Sequence, residues 1–389
     1  MPKLSEVAEI NPTLDRSSLT DLSELVSFVP MASVSEVSGS ITAEDSRLAS
    51  EVIKGFTSFK DRDVLVAKIT PCFENGKIAH ARISNRLGFG STEFHVVRPK
   101  SSNLDDRYLY HFLRQPAVRE EGERRMTGSA GQKRVPKAFL EELDIPLPPL
   151  PEQRRIAAIL DKADALRAKR RESIAKLDQL LQSVFLEMFG DPVTNPKGWP
   201  KHTLGEVSEF HAGNSLPCAV EYSGQDGGYL ALKVSDMNLP GNEEFISTAA
   251  SWIDGERRGA IKCPVGAVLF PKRGGAIGTN KKRVLSRPAY LDPNLMGVSV
   301  SPKQMNPVFL LHWFKQFNLS DIASGSSVPQ LNKRDLEPLA VHLPLLAVQQ
   351  KFAALAEQVE RQKRKMHTSL AKLDGQFASL QHRAFVGEL

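Results

Sequence analysis

The sequence is poor in cysteine. Cys72, Cys218 and Cys263 are the only three in 389 residues, and they lie far apart. An odd number without close pairs argues against a disulfide framework and against a zinc cluster, whose ligands usually come in near neighbours. No apolar run approaches the ~20 residues that a membrane helix needs. The opening "MPKLSEVAEI" lacks the basic-then-apolar pattern of a secretory signal, so a cytoplasmic protein is expected. Catalytic signatures are missing as well. There is no GxxxxGK(S/T) phosphate loop, and "GGAIGTNKK" at 274–282 shares only its glycines. There is no GxGxxG after a strand, no HExxH, and no (D/N)PP(Y/F) of the amino-methyltransferases. "DPVTNP" at 191–196 lacks both the adjacent prolines and the aromatic that stacks on a flipped base. Histidines such as His95 and His211 stand without an obvious partner and read as structural. The expectation is a chain with no catalytic residue, no metal and no bound cofactor.

What is present is ordinary in bulk: 41% hydrophobic and 25% charged residues, with a net charge of +6. That length allows two domains with their own cores. The positive balance favours a polyanionic partner only weakly. It is also spread out: the net charge is −1 over 1–150, +2 over 151–190, +2 over 191–346 and +3 over 347–389. Any nucleic-acid surface must therefore come from local clusters.

The chain repeats itself. "LPPLPEQRRIAAIL" at 147–160 returns as "LPLLAVQQKFAAL" at 343–355, and "AKLD" at 175–178 returns at 371–374, both at an offset of 196. Upstream, "KLSEVAEI" (3–10) resembles "TLGEVSEF" (203–210), "DVLVAKI" (63–69) resembles "AVLFPKR" (267–273), and "YLYHFLRQ" (108–115) resembles "FLLHWFKQ" (309–316). There the offset drifts from 200 to 204 and back to 201. Drift marks surface loops that absorb insertions. A constant offset marks a packed helix, in which one extra residue rotates every later side chain off its face.

The second part of each copy carries a heptad. Ile156, Leu160, Ala163, Arg167, Arg170, Ile174, Leu177, Leu181, Val184 and Met188 alternate in steps of four and three, and eight of the ten are apolar. Adding 196 gives Phe352, Ala356, Val359, Lys363, Met366, Leu370, Leu373, Phe377, Leu380 and Ala384, nine of them apolar. Both seams break at the same place, Arg167 and Lys363. Pro151 and Glu152 suit a helix start, and "GDP" at 190–192 a stop, which predicts a rod of roughly 55–60 Å. Two exposed apolar stripes in one chain are best buried on each other, as an antiparallel intramolecular coiled coil relating the copies by a pseudo-two-fold.

The first part of each copy reads as mixed. "RDVLVAKIT" (62–70), "STEFHVVRP" (91–99), "GAVLFPKR" (266–273) and "NLMGVSVSP" (294–302) have strand composition. "NPVFLLHWFKQF" (306–317) and "NLDDRYLYHFLRQ" (103–115) have helix entries with Asn306 and Asn103 as caps. The fold class is α+β, in the order 1–150, 151–190, 191–346 and 347–389: domain, helix, domain, helix.

Each globular part ends in a passage of small and basic residues that leads by a strand into the long helix. The first, 124–140, holds Arg124, Arg125, Ser129, Gln132, Lys133, Arg134 and Lys137; the second, 323–336, holds Ser326, Ser327, Gln330, Asn332, Lys333 and Arg334. Small residues let backbone N–H groups approach phosphate, while Gln, Asn and Arg can pair with base edges. A further cluster, "FPKRGGAIGTNKKR" at 270–283, supplies Lys272, Arg273, Lys281, Lys282 and Arg283; Lys68 aligns with Lys272, and Lys77 follows. Alone, each cluster would pass for a solvated loop. Corresponding places in both copies make a double-stranded DNA surface the better reading.

"PLPPLPEQRRIAAIL", the exit "FGDPVTNPKGWP" and the order of parts resemble the DNA specificity subunit of type I restriction-modification systems, over essentially the whole chain. The second copy departs from the pattern, with Val348 and Gln349 in place of the Glu-Gln pair. The resemblance implies two target-recognition domains, each reading one half of a split, asymmetric DNA site, and two spacer helices that set the gap. It implies no active site in this chain. The implied partners are two methyltransferase subunits using S-adenosylmethionine, and restriction subunits that translocate DNA with ATP and Mg²⁺. The alternatives are a stand-alone homodimeric DNA-binding regulator with an intermolecular coiled coil, and a nuclease or methyltransferase in its own right.

Overall fold

The repeated glutamine gives a reason for the recurrence of 147–160 at 343–355. In the computed structural model, Gln153 in the first turn of a helix spanning Leu150–Phe189 is fully buried. Its Nε2 donates to the carbonyls of Asn103 (2.7 Å) and Pro148 (2.8 Å), and its Oε1 accepts from the backbone N–H of Asp105 (2.9 Å). Gln349, in the helix Leu346–Val386, does the same: Nε2 donates to the carbonyls of Pro344 (2.8 Å) and Gln304 (3.4 Å), and Oε1 accepts from Asn306 N–H (2.8 Å). Each side chain thus ties the start of a long helix to the cap of a shorter one. Glu152 has no such part; it pairs with Arg155 on the surface.

The structure describes residues 1–14, 19, 21–100, 103–129, 131–257, 261–325 and 328–389. They fall into two compact units, 1–171 with 369–389, and 172–368. In the first, one sheet orders the strands Ala8–Ile10, Phe94–Pro99, Val64–Ala67 and Ile78–His80, all antiparallel. In the second, the corresponding strands Ser208–Ala212, Leu295–Val300, Val268–Pro271 and Arg283–Leu285 stand in the same order, extended by Phe245–Ile246. The four segments read as strands are strands. Each unit also has a second sheet that the sequence reading did not name. In the first unit it runs Asp45–Leu48, Leu25–Val29, Leu87–Gly90 and Thr57–Lys60. In the second it runs Val220–Glu221, Ser251–Ile253, Tyr229–Leu232, Ala289–Leu291 and Lys262–Cys263. Both mix parallel and antiparallel neighbours, which completes the α+β class.

The caps differ by one detail. Asn306 caps Pro307–Lys315 as read, accepting from Val308 N–H. The helix Asp106–Leu113 is capped by Asp105, not Asn103, because Asp105 lies one residue before the first turn and accepts from Arg107 and Tyr108. The strand expected between the first basic passage and the first long helix is also absent: Lys137–Glu142 is a short helix, followed by a single bridge from Lys3 to Asp144. The second copy does have that strand, Ala340–His342, paired with Lys201–Thr203.

The long helices pair within each unit, and they pair antiparallel. In the first unit Ile156, Ala157 and Leu160 share a core with Phe377, Ala384 and Phe385, and Arg155 reaches the carbonyl of Leu389 while Arg167 reaches Asp374. In the second, Leu181, Phe185 and Phe189 share a core with Phe352, Ala356 and Val359. Of the seam residues, Ile156, Leu160, Ile174, Leu181, Phe352, Val359 and Phe377 are buried; Ala163, Leu177, Met366, Leu370 and Leu373 are half-buried. At the wide end of the second unit's seam, Phe185 stacks on Phe309 (5.6 Å) and meets Phe352 edge-on (5.5 Å). This anchors the helix to its sheet domain.

Replacing Gln153 with Ala removes three hydrogen bonds to backbone groups, each worth ~0.5–1.5 kcal/mol net. The expected result is faster amide exchange across 103–113, with 304–315 unchanged. Gln349→Ala should give the reverse. Equal effects in both segments would contradict the local clamp.

Candidate nucleic-acid interface

The two kinds of basic cluster that are separate in sequence come together in space, in the same way in each unit. In the first unit Thr127 and Arg134 exchange backbone hydrogen bonds (3.0 and 2.8 Å) and close a tight loop. The returning leg then pairs with the end of the strand Val64–Ala67: Val135 N–H donates to Lys68 O (2.8 Å) and Thr70 N–H to Lys133 O (3.0 Å). In the second unit Ser324 and Gln330 exchange the equivalent bonds (2.8 and 2.7 Å), and Leu331 N–H donates to Lys272 O (2.9 Å). Glycine is required in both loops. At Gly128 (φ +134°) an added Cβ would sit 2.5 Å from the Gln132 carbonyl oxygen, and at Gly325 (φ +101°) 2.8 Å from that of Val328. These two glycines therefore let the loops close.

The arrangement brings Lys68, Lys133 and Arg134 to one place and Lys272, Arg273 and Gln330 to another. Gln132, Lys133, Ser129, Lys137, Arg273, Lys333 and Arg334 are exposed; Lys68, Lys272, Arg134 and Gln330 are half-buried. Glu93 holds Arg134 through paired contacts from Nε (3.0 Å) and one terminal nitrogen (2.8 Å), and this hydrogen bonding lowers the Glu93 pKa. Burial lowers the Lys272 pKa; the pull of Asp292 opposes this, and neighbouring Arg273 adds to it. Arg334 is largely in water, with its nearest carboxylate, Asp335, 3.8 Å away.

Other expected residues are engaged elsewhere. Lys282 is a correction: it is buried, its Nζ donates to Asn280 Oδ1 (2.8 Å) and to Phe317 O (2.7 Å), and burial followed by repulsion from Lys315 pushes its pKa down to about 8. No phosphate can reach it. Arg283 is likewise half-buried, donating to the carbonyls of Asn242 (2.8 Å) and Lys282 (2.9 Å), and it braces its own strand. Asn332 stands at the N-cap of Lys333–Leu336, where its backbone N–H donates to Asp335 Oδ2 (2.7 Å). Lys281 meets Asn238, Lys77 donates to Met31 O (3.3 Å), and Arg124 and Arg125 pair with Glu121, the latter also with Glu142. Ser326 and Ser327 lie outside the described residues.

Ion pairs also brace each sheet domain, and in the first unit one of them seats it on the long helix. His111 Nε2–H donates to Asp161 (2.7 Å), to which Arg107 also donates. Burial raises the Asp161 pKa, but these two donors outweigh it and hold the carboxyl at about 2. In the second unit His312 is buried 3.6 Å from Glu244, which Lys315 clasps at 2.5 and 2.7 Å, a contact made within the sheet domain. Neither acid lies in a motif, and only the repeated histidine of "YHF" and "LHW" signalled these sites. Among the described residues no group of three or more His, Cys, Asp and Glu side chains could hold a metal, and no helix is long and apolar enough to cross a membrane.

Two substitutions separate the interface from its support. The Asp161 shift, from 3.8 to about 2, corresponds to ~2 kcal/mol, which screening of this one-third-exposed carboxylate reduces to about 1 kcal/mol. That stabilisation is complete above pH 4 and is lost as pH falls through about 2, so Asp161→Asn should lower stability at pH 7 and converge with the parent in acid titrations. Lys282→Met should leave the salt dependence of DNA binding unchanged, whereas a shallower slope would return Lys282 to the interface.

A family model described as the type I restriction modification DNA specificity domain matches the chain twice, over residues 1–177 and 196–373. The type I restriction enzyme EcoEI specificity subunit of Escherichia coli is 40% identical over 186 residues, 46% of this chain and 31% of that protein. The EcoAI specificity subunit of the same organism is 39% identical over an equal span, so the chain covers about a third of the length of these relatives. The MjaVIII specificity subunit of Methanocaldococcus jannaschii is 24% identical over 300 residues, 71% of this chain and 68% of that protein. Among solved structures, a chain from work on complex assembly and conformational transition of the type I R-M system covers 100% of this chain and 97% of its own length. Its TM-score is 0.55 and its identity 20%. The type I restriction-modification S subunit from M. genitalium covers 99% and 95%, with a TM-score of 0.50 and 14% identity. Those two likenesses are of fold.

Proposed function

The chain belongs to the type I restriction-modification DNA specificity domain family, and from that premise we propose that it is the sequence-reading subunit of such a complex. Residues 1–150 and 191–346 are the two recognition domains, each binding one half of a bipartite, asymmetric site in double-stranded DNA. The observation that carries this reading is the twice-built basic loop, in which Lys68 with Lys133 and Lys272 with Arg273 are gathered by the same backbone pairing. Lys and Arg there neutralise phosphates, which makes affinity salt-dependent, while a few polar side chains discriminate bases. The loops share a frame and differ in side chains, Arg134 against Gln330, so the two half-sites differ in sequence.

The helices 151–190 and 347–389 act as the ruler that sets the gap between half-sites. Half-sites read from one side of DNA stand about one turn, ~34 Å, apart. Chemistry belongs to partners: two methyltransferase subunits with S-adenosylmethionine, and restriction subunits using ATP and Mg²⁺. A stand-alone dimeric regulator would need its apolar seams for a second chain. Here each seam is already covered by the other helix of the same chain.

Changing Lys333 and Arg334 to Ala should reduce the salt slope of binding by ~2, on the basis of ~0.9 per phosphate contact. It should weaken only the half-site read by the second domain; equal loss at both half-sites would contradict the division of labour. Deleting one heptad from one helix should shift the tolerated gap. Unchanged affinity at the original gap would count against the ruler.

A further inference from the structure

The polar breaks in the two seams are the same device made twice. In the first unit Arg167, at a heptad position, donates from Nε to Asp374 on the facing helix (2.6 Å) and from a terminal nitrogen to Asp164 one turn back (2.7 Å). In the second unit Lys363 donates to Asp178 on the facing helix (2.6 Å) and to Glu360 one turn back (2.7 Å). Adding 196 to Asp164, Arg167 and Asp178 gives Glu360, Lys363 and Asp374. Each triad therefore takes its base and near acid from one helix and its far acid from the other, and between the two units the helices exchange these roles. The bases are not surface ions. Lys363 is 7% exposed, and the Arg167 guanidinium lies over the Phe377 ring at 4.3 Å. Arg171 supports the first triad with a further contact to Asp374 (2.9 Å).

We infer that these triads set the register of the helix pair, and so act as positioning residues for the gap between the two halves of the DNA site. A buried ion pair adds little net stability over apolar side chains, but it penalises any arrangement that breaks it. A polar residue in an otherwise apolar seam is the best-attested way to specify coiled-coil alignment. The aliphatic layers specify alignment weakly, because a slip of one heptad sets Leu, Ile, Val, Ala and Met against residues of the same kind. The triads change chemistry under the same slip. Moved one way, Arg167 faces His367 and Lys363 faces Arg171; moved the other way, Arg167 faces Gln381 and Lys363 faces Phe185. Either slip breaks both ion pairs at once, and the first opposes like charges. Because the triads correspond at a constant offset, both specify one register.

The consequence for DNA rests on the reading above, but the register can be measured without DNA, so the two can fail separately. Spin labels at Ser183 and Gln358, both exposed and in the same unit, report the alignment of the helices by pulsed dipolar spectroscopy, with Cys72 and Cys218 replaced by Ser. The full chain should give a single distance. In Arg167→Met/Lys363→Met, with Glu360→Gln to avoid leaving an unpaired buried carboxylate, a second population should appear at longer distance, because a slip of one heptad displaces the two labels by ~10 Å along the helix axis. Lys363→Asp alone should disturb the distribution, and Lys363→Asp with Asp178→Lys should restore the single distance. A single unshifted distance in the methionine variant overturns the inference, whatever its melting temperature; so does a charge-exchanged pair that fails to recover what the single reversal loses. If the triads act as inferred, the methionine variant also accepts DNA sites whose gap differs from the preferred one.

Discussion

A forty-residue helix with an apolar stripe cannot stand alone in water, and this chain contains two. Covering those stripes is the constraint on which the other features depend. It is met within each unit by antiparallel contact between the helices, continued at the ends by aromatic packing onto the sheet domain. The glutamine clamps, the His111–Asp161 pair and the seam triads all refine that contact. The clamps fix where each helix begins, the His111–Asp161 pair seats the first sheet domain on its helix, and the triads specify how the helices align.

The same constraint explains why one part of each copy keeps its length and the other does not. A residue inserted in a helix with packed faces turns everything after it, so the offset stays at 196. The sheet domains carry their differences in loops and in second sheets of four and five strands, where an insertion changes what a surface presents without disturbing the core. In the proposed function, variation in sequence preference then comes from the loops, while the helices hold the geometry constant.

The helices, their limits and two strands of the first sheet in each unit were legible because periodicity and the internal repeat reinforce each other: a heptad found once is suggestive, and found again at a constant offset is hard to mistake. The family was legible in "LPPLPEQ" and the exit to "NPKGWP". The second sheets were not, since short strands such as Val220–Glu221 or Lys262–Cys263 carry too few residues to alternate visibly. Site residues were read by charge alone, and charge does not reveal burial. Lys282 sits two residues beyond Asn280, whose left-handed backbone (φ 52°) turns the chain inward and whose side chain then receives the ammonium. Asn332 resembles a base reader in composition and stands at a helix N-cap. Glu93, which braces Arg134, lies 41 residues away and could be joined to it only by the sheet.

The central claim is that two dissimilar readers on one chain address two separated halves of a single DNA site. Mapping methylated bases on genomic DNA, after co-expression of this chain with its cognate methyltransferase subunit, tests it most directly. The account predicts one motif of two unlike half-sites around an unspecified gap of constant length. A palindromic motif, a contiguous one, or a gap that varies freely from site to site would contradict it.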